Sequence, residues 1–246
     1  MIPLHDRNPT RRRAVVTILL IAVNVVVFVF VQPSTSDVEK NAEFTYERAA
    51  IPCELTTGRP LTVQEAVATA NGQGDEQCGT FPDSPELYPH KILALSVLSS
   101  MFLHGGWVHL GGNMLFLWVF GNNVEDRLGR VRYLVFYLLA GLVATATYVL
   151  LQPHSTVPLI GASGAIAGVM GAYLIWYPDV PILTLVFVVP INIRARWLLI
   201  FWFLSQFFIG PDQGVAWGAH VGGFVFGVVA ALLLRQDRRD TYRLAG

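Results

Sequence analysis

Charge is what this 246-residue chain has least of, with 14% of its residues Asp, Glu, Lys or Arg against roughly 25% in an ordinary soluble domain. That shortage argues against a freely soluble globule. Seventeen basic and seventeen acidic residues cancel, so there is no basic excess to hold nucleic acid by its phosphates. Cysteine is also scarce. Cys53 and Cys78 are too few for a disulfide-dense scaffold and lack the C-x-x-C spacing of a zinc or redox site. No H-E-x-x-H is present, and His104 and His109, five apart, do not face each other well for joint ligation. Neither a metal nor a cofactor is expected.

Apolar runs, by contrast, are plentiful. A helix that spans a bilayer needs about 20 mostly apolar residues at 1.5 Å of rise each. Residues 14–31, 107–124, 133–151, 160–177 and 215–234 contain no Lys, Arg, Asp or Glu. A sixth run, 197–210, is shorter and can borrow Ile191 to Ile193. The first run exceeds the apolar core of a signal peptide, and Gln32-Pro33-Ser34 offers no small-x-small cleavage site, so it reads as a retained span.

Basic residues of short loops stay on the cytoplasmic side. With the N-terminus inside, thirteen of the seventeen Lys and Arg fall there, and only Lys40, Arg48, Arg59 and Lys91 lie outside. The expected fold is an all-α, six-span bundle with both termini cytoplasmic. Its parts are a basic N-terminus (1–13), a first span (14–32), a long outer segment (33–104), a five-span core (105–234) and a cytoplasmic tail (235–246). Fifteen Arg against two Lys suit a GC-rich bacterial genome and a bacterial plasma membrane.

The outer segment is polar and turn-rich. Thr62 and Glu65 have the spacing of a helix capping box. Both cysteines fall outside by this topology, where disulfides persist. A bond between them would close a loop of about 25 residues and contribute roughly 3 kcal/mol. Residues 92–103 are apolar but too short to span, and read as an interfacial or re-entrant piece. Residues 180–190, apolar and bounded by prolines on the cytoplasmic side, are similarly ambiguous.

Function is sought in polar groups that lipid makes expensive. They are His109 and Asn113 in the second span, Ser163 at the start of the fourth and His220 near the start of the sixth. All four lie in the outer half of the membrane in this topology. In Gly161-Ala162-Ser163-Gly164 a serine opens an apolar helix, whose unpaired first-turn amides suit a developing oxyanion. Gly164, Gly168 and Gly171 fall within about 60° at 100° per residue, as do His220, Gly223 and Gly227. His109 and Asn113 are one turn apart on one face, about 6 Å along the axis. Each of these features has a plainer reading as a cap, a packing histidine or polar glue between helices. Read together, they allow a serine with a histidine base and donors for an oxyanion hole. No Asp or Glu lies in any span to orient the histidine, so the expectation is a dyad.

The ordered set His109-x-x-x-Asn113, Gly161-Ala162-Ser163-Gly164 and Ala219-His220-x-x-Gly223 resembles the rhomboid intramembrane serine proteases. The resemblance is strong over about residues 93–234. Met101 to His104, Gly121 with Glu125 to Gly129, and Trp202 with Gln206 are further similar text. It implies Ser163 as nucleophile, His220 as base, and His109, Asn113 and the Ser163 amide as the oxyanion hole. It also implies single-span or polytopic membrane-protein substrates cut within or beside a transmembrane helix, with Trp202 and Gln206 on a fifth span that can act as a lateral gate. Ala167 stands where some members carry a tyrosine against the histidine, and the outer segment lacks a Trp-Arg pair seen in several. Two other classes are weighed: a catalytically silent rhomboid-like client-binding protein, and a small transporter using the same polar residues.

Overall fold

The computed structural model describes residues 1–73, 76–208 and 215–234. Each apolar run forms a helix. These are α1 (Val15–Val26, extended by a π-helical turn Val27–Val31), α6 (Trp107–Leu128), α7 (Arg130–Leu151), α8 (Ser163–Trp176), α9 (Ala195–Ser205, extended by a 3₁₀ turn Gln206–Phe208) and α10 (Trp217–Leu233). Four short helices, α2 (Val38–Arg48), α3 (Pro52–Thr57), α4 (Val63–Ala70) and α5 (Leu93–Ser100), lie between α1 and α6. Among the described residues only α7 is by itself long and apolar enough to cross a membrane; α1, α8, α9 and α10 with their extensions are shorter apolar helices. Gly129 separates α6 from α7 at φ 77°, a left-handed conformation that glycine adopts at little cost, so two 22-residue helices reverse at one residue.

An all-α fold is not what forms. Strands β1 (Ile2–Asp6), β2 (Pro181–Val186) and β3 (Val189–Arg194) make an antiparallel sheet in the order β1-β2-β3, with Asp6 opposite Ile182 and Ile182 opposite Ile193. Ile191 to Ile193 therefore belong to a strand and do not lengthen α9, and residues 209 and 210 of the sixth run lie outside the described residues. The sheet ties the N-terminus to the core. Buried Asp6 accepts from Asn123 Nδ2 (2.5 Å) and the Tyr173 hydroxyl (2.8 Å), and Asn8 donates to Asn123 Oδ1 (2.6 Å). Burial pushes the Asp6 carboxyl up, against the hydrogen bond from Tyr173. Alongside, the α6 carboxylate of Glu125 accepts from the amides of Val16 (2.9 Å) and Thr17 (2.8 Å) and from the Thr17 hydroxyl (2.8 Å). It thereby satisfies first-turn donors of α1 that the helix cannot.

The bundle core is built from small residues. α8 packs most extensively on α10, where a Cβ at Gly223 would overlap the carbonyl of Gly164, one at Gly227 that of Gly168, and one at Gly171 that of Phe224. Gly223 and Gly227 of the α10 stripe and Gly171 of α8 press on backbone across this contact, while a Cβ at Gly164 or Gly168 would meet Ala144 or Ala140 of α7; the small size of both stripes lets the backbones meet.

The 33–91 segment is held differently. Cys53 and Cys78 form a disulfide with a Cα separation of 5.6 Å, next to a minor core of Ile51, Cys53 and Leu61. Thr62 and Glu65 form the capping box of α4. Arg59 binds Glu65 with two hydrogen bonds (2.6 and 3.0 Å). Burial works to raise the Glu65 carboxyl, but Arg59 and the amides of Thr62 and Gly79 outweigh it and bring the pKa down to about 2. Lys91 and Glu54 pair at 2.5 Å with side chains 1% and 3% exposed; burial moves Lys91 down and Glu54 up, each toward its neutral form.

This segment, together with α5, is fastened to the connection between α7 and α8. The Cys53 amide donates to the Ser155 carbonyl (2.9 Å), Leu159 to Ala50 (2.8 Å) and Gly161 to Ser100 (2.9 Å). The Ala50 amide donates to Ser100 Oγ (2.6 Å), so the residues just before α8 are braced from outside the bundle.

Candidate active site

The N-terminal ends of α6, α8 and α10 meet at one cavity of about 1210 Å³, lined among others by Trp107, His109, Asn113, Ser163, Trp202 and His220. All four site residues read from the sequence line it. Thr69 and Gly72, from the 33–91 segment, contribute to its wall as well.

Ser163 is the first residue of α8, so its amide has no acceptor within the helix. Its Oγ lies 2.8 Å from His220 Nε2, the separation expected of a nucleophile and its base. His220 sits one turn into α10, on the glycine face that approaches α8. The same close packing that requires Gly223 against the Gly164 carbonyl thus brings residues 57 positions apart in the chain within hydrogen-bond reach.

His109 and Asn113 occupy the first two turns of α6. The Gly105 amide donates to His109 Nδ1 (3.3 Å). That bond assigns the proton to Nε2 and makes this nitrogen a donor. It points at Gly161, where an added Cβ would fall 2.7 Å from His109 Nε2. Gly161 also holds φ 120°, so both the backbone and the imidazole require glycine there. Asn113 Nδ2 is buried and has no partner among the described residues. A buried donor without an acceptor costs roughly 1–3 kcal/mol, and such a group is suited to an oxyanion that arrives with substrate. His104 is fully buried, edge-on to His109 at 5.1 Å between ring centroids; its amide and carbonyl pair with the Gln32 side chain (2.9 and 3.0 Å).

Sequence reasoning missed the partner of the other imidazole nitrogen. His220 Nδ1 lies 2.7 Å from Gln206 Oε1, and Gln206 is 4% exposed. Trp202, one turn earlier, places its ring 5.8 Å from the His220 ring, so α9 supplies an aromatic neighbour while position 167 is alanine. The available signal was a polar amide in an apolar run, of the kind that hydrogen-bonds to a neighbouring helix.

The family model described as Rhomboid domain matches residues 93–237. The chain belongs to the rhomboid family. It is accordingly a helical polytopic integral membrane protein. It is 33% identical over 144 residues to the yeast (Saccharomyces cerevisiae) Rhomboid protein 1, mitochondrial, covering 55% of this chain and 40% of that one. It is 41% identical over 78 residues to the Rhomboid protease GluP of Bacillus subtilis, covering 32% and 15%. It is also 31% identical over 102 residues to Inactive rhomboid protein 1 of Drosophila melanogaster, covering 40% and 7%. The match spans less than half the length of each of these relatives.

Proposed function

We propose that this rhomboid is an intramembrane serine endopeptidase, cutting membrane-protein substrates near the extracytoplasmic side with a Ser163–His220 dyad. The observation that carries the reading is the 2.8 Å contact between Ser163 Oγ and His220 Nε2 in a cavity that also holds the unpartnered Asn113 amide. Ser163 Oγ attacks the scissile carbonyl carbon as its proton passes to His220 Nε2. The carbonyl oxygen becomes an oxyanion, received by the Ser163 amide, His109 Nε2–H and Asn113 Nδ2–H. Collapse breaks the C–N bond, and His220 returns the proton to the departing amine. Water, deprotonated by the same imidazole, then releases the acyl group and restores Ser163.

The proposed topology has six spans with both termini inside. Exposed apolar residues such as Leu19, Phe30, Val131, Leu139, Phe201 and Val229 support a lipid-facing surface, since a soluble monomer rarely exposes so much. Helical substrates have their amide bonds closed, so cleavage favours sites where Gly or Pro weakens the helix. The expected bacterial plasma membrane gains no support from the relatives, several of which carry mitochondrial or chloroplastic in their names. A silent, client-binding role is the second reading, because one relative is named inactive. The presence of both Ser163 and His220 favours the enzyme. Treating the purified chain with a fluorophosphonate and mapping the adduct decides between them: the protease carries it on Ser163, and a silent protein carries none.

A further inference from the structure

We infer that Gln206 is a positioning residue for the proposed base, holding His220 in the tautomer whose Nε2 lone pair faces Ser163. This rests on the dyad reading and extends it to a third residue. Gln206 Nε2 donates to the Trp202 carbonyl (2.9 Å) and to Ser205 Oγ (3.3 Å), which fixes which end of the amide is which. Oε1 is then the atom that faces His220 Nδ1 at 2.7 Å. A carbonyl oxygen only accepts, so Nδ1 must carry the proton and Nε2 must be free to accept from the Ser163 hydroxyl.

The device differs from a carboxylate behind the imidazole. A neutral amide selects tautomer and ring orientation without placing a charge in the apolar cavity. His109 and Tyr148 line the same cavity, and the contact at Nδ1 is made by Gln206 Oε1. Because the 3₁₀ turn Gln206–Phe208 follows α9 directly, the position of α9 sets whether the base is oriented. Trp202, on the same helix, lines the cavity, so a displacement of α9 away from α10 would remove the acceptor and the aromatic wall together.

The test compares Gln206→Met, which keeps length and removes the acceptor, with Gln206→Glu, which restores an acceptor, in the full-length chain reconstituted in liposomes. Gln206→Met should lower kcat on the order of 10- to 100-fold, part of the 10²- to 10⁴-fold a positioned base supplies. KM and the melting temperature should stay near wild type, and Gln206→Glu should recover most of the rate. A Met variant as fast as wild type overturns the inference, and so does a Glu variant that stays as slow as Met. ¹⁵N NMR of ring-labelled histidine reads the tautomer without activity, with His220 assigned by its absence in His220→Gln. Wild type should show a protonated Nδ1 and an unprotonated Nε2, and Gln206→Met should shift the proton toward Nε2. A wild-type Nε2–H, or a tautomer indifferent to the substitution, refutes the role of Gln206 even if the adduct on Ser163 forms; a missing adduct with the expected tautomer refutes the protease reading and leaves Gln206 in place.

Discussion

Between α8 and α10, the side-chain hydrogen bonds of the described residues are Ser163 to His220 at one end and Trp176 to the Ala231 carbonyl at the other. Glycine against backbone fills the interval. The 33–91 segment has few buried apolar residues and relies on a disulfide, a buried Lys91–Glu54 pair and a two-bond Arg59–Glu65 pair. Helices surrounded by lipid gain little from apolar side chains, which lipid solvates equally well, so close backbone approach carries the association. A small segment in water cannot bury enough apolar surface and is cross-linked instead. The precision of the site comes from the first region. The second braces the residues that lead into Ser163.

The largest effect should come from breaking the buried ion pair. Glu54→Ala strands Lys91 and should destabilise the 33–91 segment by about 3–5 kcal/mol, seen as rapid proteolysis within it while α7, α8 and α10 keep their hydrogen-exchange protection. Simultaneous loss of protection in the helices would join two regions that are separate here. Reducing Cys53–Cys78 should cost the same segment roughly 3 kcal/mol and should slow cleavage more than it lowers the melting temperature of the bundle. An unchanged rate would mean that the brace on Leu159 and Gly161 is dispensable. Gly223→Ala acts on the other region. Its methyl meets the Gly164 carbonyl, and overpacking of that kind costs roughly 1–3 kcal/mol, here together with loss of the Ser163–His220 contact. A variant that unfolds no earlier and cleaves as wild type does would show that the seam tolerates separation.

A further effect, a pH dependence, is confined to acid pH. The Glu65 carboxyl is held at about 2 against an ordinary 4.5, so the folded state binds its proton less readily than the unfolded one. Its contribution is complete above about pH 4.5 and is lost as pH falls toward 2. Glu65→Gln should flatten that part of the stability curve of the 33–91 segment, as followed by proteolysis against pH. A curve unchanged by the substitution would remove Glu65 from the account.

What could be read from the sequence follows from the kind of physics involved. Apolar runs, the glycine stripes and the Thr62–Glu65 box are local or periodic, and each is found where its spacing puts it; Ser163 and His220, 57 positions apart, could be paired from sequence only through their shared depth and the ordered motifs. The sheet was not legible because β1 is a single short strand far in the chain from β2, and β2 is nearly continuous apolar text; the anchor of β1 is Asp6 bound to Asn123 and Tyr173, which are far apart in the chain. Gln206 was seen as family-like text but not as the partner of His220, because a neutral acceptor has no charge to announce it. Glu125 likewise gave no sign that it caps α1, since a side chain from another helix does that work.

The most direct measurement is cleavage of a model transmembrane substrate in liposomes by wild type, Ser163→Ala and Asn113→Ala, with cut sites read by mass spectrometry and folding followed in parallel. Wild type should cut at one site. Ser163→Ala should not cut at all while remaining folded, and Asn113→Ala should cut at the same site about 10²- to 10³-fold more slowly. Cleavage at the wild-type site and rate by folded Ser163→Ala would contradict the account.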